Sequence, residues 1–192
     1  MSVTFASIAL ALIARVGPST PPSAPPAPVS LYGSIGHGKT WDDEGSVGGG
    51  TSAGGGVDWR FRPKWSVGAD VERVGHERDT AGLKWSGRTV FASANVAYHF
   101  AARGVSPYAG GGFGGAFHEG EVLDRLMLPG NQAPLHRSSS ASTMEYGNAG
   151  VEIPIGTRLV VSPDFRWTFC QAQDDSAPFS VMRFALKAAV RF

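Results

Sequence analysis

The sequence predicts an all-β fold: an eight-stranded antiparallel up-and-down β-barrel that crosses a membrane. Three observations carry this expectation. Apolar and polar residues alternate through eight segments, the period-two pattern of a strand with one oily and one polar face. The connections between segments are short and long in turn, as between periplasmic turns and extracellular loops. The charges gather on one strand face while the other is almost uninterruptedly apolar, which suits lipid outside and a polar lumen within. A soluble barrel of the lipocalin kind, apolar inside and charged outside, has the opposite polarity.

Residues 1–28 stand apart as an expected signal peptide and Pro-rich linker, leaving 29–192 as the barrel domain. Phe5 to Ala14 is an apolar run with the length of a secretory h-region, too short to span a bilayer as a helix. No Lys or Arg precedes it and no clean small-x-small cleavage site follows. Gly17 to Pro28 is Pro-rich and reads as extended linker.

The first segment, Val29 to Gly38, has Leu31 and Ile35 on its oily face. Gly54 to Phe61 points Val57, Trp59 and Phe61 outward and Asp58 and Arg60 inward. Trp65 to Val74 sets Trp65, Val67, Ala69 and Val71 against Ser66, Asp70 and Glu72. Arg88 to Phe100 opposes Val90, Ala92, Ala94, Val96, Tyr98 and Phe100 to Ser93 and Asn95. Val105 to Phe117 is Gly-rich, with Phe113 its main bulky outward residue. Gly147 to Ile155 opposes Ala149, Val151, Ile153 and Ile155 to Asn148 and Glu152. Leu159 to Cys170 is cleaner: Leu159, Val161, Pro163, Phe165, Trp167 and Phe169 oppose Ser162, Asp164, Arg166 and Thr168. The last strand sets Met182, Phe184, Leu186, Ala188, Val190 and Phe192 against Arg183, Lys187 and Arg191.

Short turns are expected at Arg62 to Lys64, Ala101 to Gly104 and Gly156 to Arg158. Long loops are expected at Lys39 to Ala53, Gly75 to Gly87, His118 to Tyr146 and Gln171 to Pro178. Both termini then lie on the periplasmic side. Trp59, Phe61, Trp65, Tyr98, Phe100 and Phe192 form one expected aromatic belt, and Trp41, Trp85, Trp167 and Phe169 the other. Mean hydropathy near zero fits such a barrel, because alternate residues cancel. A net charge of +1, with no segment concentrating Lys and Arg, argues against a nucleic-acid partner. The lone Cys170 excludes an intrachain disulfide and reads as a small lumen filler.

The PYAGGGFG stretch, the FASANVAYHF and WSVGADVE strands and the terminal LKAAVRF together resemble the small eight-stranded outer-membrane barrel family of the OmpA/OmpX type. The resemblance covers residues 29–192. It implies a bacterial outer-membrane location and a lipid-bilayer partner, and names no ligand. It also implies that Phe192, with Val190, Leu186 and Phe184 at alternate positions before it, is the signal read by the barrel-assembly machinery. A monomer is expected.

Eight strands enclose a lumen narrow enough for side chains to fill. The inward acids Asp58, Asp70, Glu72, Glu152 and Asp164 balance the inward bases Arg60, Arg166, Arg183, Lys187 and Arg191. Pairs such as Arg60 with Asp70 or Glu72, and Asp164 with Lys187, would neutralise the interior. A polar plug is the expectation; a narrow ion path through switching pairs is the sharper alternative. A lipid-modifying enzyme is another, because His118, Glu119, Glu121, Asp124, His136 and Ser138 to Ser140 lie in the third long loop. No His-x-Ser pair falls on an expected strand, so no catalytic residue is assigned. His76, His118 and His136 lack ligand spacing and read as solvated loop residues, so no metal or cofactor is expected. Gly110, Gly112 and Gly115 match G-x-G-x-x-G with no helix after them, and instead relieve crowding beside an aromatic or permit curvature. The expected function is a structural or surface-interaction role through the extracellular loops.

Overall fold

In the computed structural model the chain closes into a single antiparallel barrel in which each strand pairs with its neighbours in sequence and β8 returns to β1. The structure describes residues 29–42, 45–80, 83–124, 134–171 and 178–192, so the expected leader and linker at 1–28 lie outside the described residues. The strands are β1 (Val29–Asp42), β2 (Gly45–Arg62), β3 (Trp65–Thr80), β4 (Leu83–His99), β5 (Ser106–Asp124), β6 (Pro134–Ile155), β7 (Leu159–Cys170) and β8 (Phe179–Arg191).

The pairing register sets the tilt. Passing from Leu31 to its partner Val57, then Ala69, Ala94, Phe113, Glu145, Phe169 and Ser180, one returns to β1 at Trp41. This stagger inclines the strands by about 40° to the barrel axis, so each residue climbs roughly 2.5 Å along it. Residues at one height therefore come from different pairing rows.

The outer wall is apolar over most of the height of a hydrocarbon layer, the exposed Glu145 between Phe113 and Phe169 being an exception. Leu31, Ile35, Val71, Phe113, Trp167, Phe184 and Leu186 all stand exposed on it. At the short-turn end, Trp65 meets Tyr98 edge to face at 5.1 Å, and Tyr98 meets Phe100 at 5.3 Å. Inside, Asp70, Glu72, Asp164, Arg166 and Arg183 are buried. Charge within and hydrocarbon without is the polarity of a membrane barrel.

Four expectations need correction. The long connections are shorter than the pattern implies, because β1 to β6 continue pairing beyond the apolar band. Strand β6 begins at Pro134 where the pattern begins at Gly147, and β5 pairs with it as far as Leu123 opposite Pro134. Above the band both faces are polar, so alternation disappears while backbone pairing goes on. His136 and Ser138, a His-x-Ser pair, consequently lie on a strand; the His136 side chain is outside the described residues. Trp85 is not in the outer belt: it shares the inward parity of Thr89 and Phe91, with its ring 6.1 Å from His76. His76 is buried rather than solvated, and His118 is half-buried.

The glycines of β5 answer to close contacts. A Cβ on Gly112 would fall 2.7 Å from the Tyr146 ring, and one on Gly110 2.5 Å from the Val96 carbonyl oxygen.

Candidate functional site: the sealed lumen

Inward positions of all eight strands meet in the lumen, where their side chains stack in layers. The lowest layer gathers beside the short turns. Arg60 donates to Glu152 at 2.7 Å and to His99 Nδ1 at 2.8 Å, and Arg191 donates to Glu152 at 2.8 Å. Ser66 lies 3.0 Å from His99 Nε2. The expected pairing of Arg60 with Asp70 or Glu72 is not formed. Neighbouring pairs in the register, Trp59 with Val67 and Asp58 with Gly68, set Arg60 beside Ser66, well below either acid, and its partner lies across the lumen on β6.

The middle layer holds most of the charge. Arg166 makes a bidentate pair with Asp70 (3.1 and 2.7 Å) and lies 3.5 Å from Glu72. Its guanidinium carbon stacks 4.1 Å from the centre of the Tyr146 ring. Asp70 also accepts from Ser93 at 2.6 Å and Tyr32 at 3.2 Å. Arg183 bridges Glu72 and Asp164. Asp164 accepts from Tyr108 at 2.6 Å and pairs with Lys187 at 3.1 Å, so that expected partner is present. Among the described residues Asp58 has no ion pair; it lines the same narrow space as Lys187. Carboxylates with several donors, and guanidiniums with planar partners, keep such burial tolerable.

Above the ions lies an apolar layer that the sequence reading did not anticipate. Val74, Phe91, Ala116, Met144, Cys170 and Val181 pack into one buried cluster across the lumen. The interior is therefore not polar throughout. Each residue points inward, out of phase with its strand's lipid-facing residues, and that phase slip was the available signal. Cys170 is fully buried here.

A hydrogen-bonded chain caps the apolar layer. Thr40 Oγ1 is 2.8 Å from His76 Nδ1, and His76 Nε2 is 2.9 Å from Thr89 Oγ1. Thr89 Oγ1 lies 2.9 Å from His118 Nδ1, and His118 Nε2 lies 3.0 Å from Ser142 Oγ. This chain sits at the height of the outward Arg88–Glu119 pair, above the hydrocarbon-facing stretch. There burial, joined for His76 by the neighbouring His118, pushes both imidazoles down to about 4. With both rings neutral the chain satisfies itself in one direction, each ring accepting a hydrogen bond at Nδ1 and donating one from Nε2. Phe179 closes the same level, edge to face with His118 at 4.6 Å.

These layers leave little room for a water column. The cavity among the lower ions is about 40 Å³. His118 and Ser142 stand like a catalytic pair, yet the far nitrogen of the imidazole faces a threonine instead of a carboxylate. The pair lacks the acid that would support an imidazolium. Among the described residues no cluster of His, Cys, Asp or Glu could hold a metal ion.

The residues expected to form an assembly signal lie on the outer wall at the barrel seam. Phe184, Leu186, Val190 and Phe192 are exposed, Phe184 packs on Phe165 at 4.8 Å, and the Phe192 amide bonds the Val29 carbonyl at 2.9 Å.

No protein-family profile matches the chain, and no curated protein does. Solved structures do. Neisserial surface protein A superposes with a TM-score of 0.65 at 16% identity, covering 86% of this chain and 98% of that one. The attachment invasion locus protein of Yersinia pestis, Ail, gives a TM-score of 0.56 at 15% identity, covering 85% of this chain and 99% of its own, in a complex with the heparin analogue sucrose octasulfate. A major outer membrane protein from Thermus thermophilus gives 0.57 at 15% identity, with 84% and 99% covered. The fold is that of the small bacterial outer-membrane barrels.

Proposed function

We propose that this protein is an integral bacterial outer-membrane barrel with a structurally sealed lumen, acting through a structural or surface-interaction role on its extracellular side. The observation that carries the reading is the stacking of ionic, apolar and hydrogen-bonded layers in the lumen. A path for ions would have to disrupt all three. The extracellular side, by contrast, is built up. Past the outward Phe117, β5 runs on to Asp124, raising a paired β5–β6 hairpin roughly 15–20 Å above the hydrocarbon. Paired strands hold side chains more firmly than free loops, and binding favours such platforms. A neighbour in fold is named for attachment, which agrees with this role. The closed barrel leaves no edge strand for a second copy to extend, which supports reading the protein as a monomer.

Planar-bilayer recording of the refolded chain should show no porin-sized steps, and unheated samples should migrate differently from boiled ones on an SDS gel. Large reproducible steps would overturn the sealed lumen. A chain released by osmotic shock and unchanged by heating would overturn the membrane reading.

Phe192, Val190, Leu186 and Phe184 serve assembly more than final stability. Phe192 is 65% exposed on the outer wall, so deleting the residue should cost at most ~1.5–3 kcal/mol. Folded yield in cells should fall sharply while refolding into detergent stays largely intact. Equal losses in both assays would place the effect in stability instead.

A further inference from the structure

The upper aromatic girdle is broken on one side of the barrel. Phe117 and Phe169 line β5 and β7, but at matching heights β2, β3 and β4 present Thr51, Arg73, Gly75 and Arg88. Arg73 stands opposite Val90, and Gly75 opposite Arg88, so the two arginines are diagonal neighbours on the outer face with Gly75 beside them. Eight residues above Trp65 of the lower belt, Arg73 lies roughly 20 Å up the wall, at the upper edge of a band about 25 Å tall.

A groove of about 970 Å³ opens here, lined by Arg73 and Arg88 at its lower side and by Glu77, Glu119 and Glu121 above them. Glu119 holds Arg88 through its Nε at 2.7 Å. Among the described residues Arg73 has no hydrogen-bond or ion-pair partner. The floor is glycine, for two different reasons. A Cβ on Gly50 or Gly87 would come within 2.5 or 2.9 Å of neighbouring backbone, so packing demands those two. A Cβ on Gly75 would meet only the Thr51 carbonyl oxygen at 3.6 Å, so nothing in the protein forbids a side chain there. Below the groove the outward positions are alanines and valines: Ala53, Ala69, Ala92 and Ala94, with Val71, Val90 and Val96. The opposite wall carries Phe165, Trp167 and Phe184. A trough of alanines and valines thus runs down the hydrocarbon beneath two guanidiniums.

We propose that this wall is a specific binding site for a phosphorylated lipid of the outer leaflet, its head phosphate between Arg73 and Arg88 and an acyl chain along the trough. Guanidiniums recognise phosphate through planar paired N–H groups, and an unpartnered one at a hydrocarbon edge gains most from an anion. Thr51, Ser86 and Ser139 at the groove offer hydroxyls to a saccharide head. The inference rests on the membrane reading above, but not on the sealed lumen or the hairpin.

The test is native mass spectrometry of the refolded full chain from zwitterionic micelles doped with lipid A, its phosphate-free form, or inorganic phosphate. The wild type should retain phosphorylated lipid A about tenfold over the phosphate-free form, as one or two charge-assisted bonds require. Arg73→Gln with Arg88→Gln should abolish that preference. Gly75→Leu, which fills the floor with both charges in place, should lower retention as well, and Lys64→Gln at the opposite end should not. Heat-modifiability, read on every variant, separates a lost site from a lost barrel. Equal retention by the wild type and the double variant, or of lipid A with and without its phosphates, would overturn the site. Displacement of the lipid by inorganic phosphate would overturn the acyl trough.

Discussion

Arg166→Leu should destabilise the refolded barrel by about 3–5 kcal/mol, among the largest losses available to a single side chain here. Arg166 lies at the centre of the buried network, paired bidentately with Asp70, near Glu72 and stacked on Tyr146. Its removal leaves Asp70 with two hydroxyl donors, Ser93 and Tyr32, and no cation in contact. The loss measures the isolated carboxylate more than the worth of the pair. Adding Asp70→Asn to Arg166→Leu should therefore recover much of the stability. The exposed Arg88–Glu119 pair provides the contrast: Arg88→Leu should cost no more than about 1 kcal/mol, because water already screens it. Urea unfolding in lipid vesicles reads all three. Similar small losses for Arg166→Leu and Arg88→Leu would mean that the lumen is hydrated and the network is not a seal.

How much of this was legible in the sequence follows from where period two has a physical cause. Strand β7 was readable to both ends, Leu159 and Cys170, because lipid selects one of its faces and the lumen the other along its whole length. Strand β6 was readable only from Gly147, because just above it the pattern inverts, with Met144 and Tyr146 buried inside and Glu145 exposed outside. Inward charges were identifiable by parity, as for Asp164 and Lys187 on adjacent strands. Partners across the lumen were not, because they depend on the stagger that accumulates around the barrel; Arg60 and Glu152, on β2 and β6, are the example. The apolar layer left only a faint trace. Val74, Phe91 and Val181 are ordinary strand residues until the register shows that they reach the same height on the inside.

Leu186→Arg should destabilise the barrel by about 2–4 kcal/mol, the cost of a cation near the bilayer midplane. Leu186 is exposed on the outer wall, paired with Ile35 and Pro163 and midway between the Phe192 end and the upper girdle. Val161→Arg should cost less, because Val161 pairs with Ala188 and lies closer to the short-turn end, where an arginine can extend to the headgroups. Ser162→Arg, one position further along but buried in the lumen, should respond to the charges around Asp164 and Lys187 and not to depth in the bilayer. Vesicles of different acyl-chain length distinguish these cases. The Leu186→Arg penalty should grow with bilayer thickness, whereas the Ser162→Arg penalty should stay constant. Single tryptophans placed at 161 and 162 test the same register by quenching from lipid-borne labels: position 161 should be quenched and position 162 protected. Equal quenching at both positions would mean that β7 does not present one face to lipid, and the inside-out polarity of the barrel would fall with it.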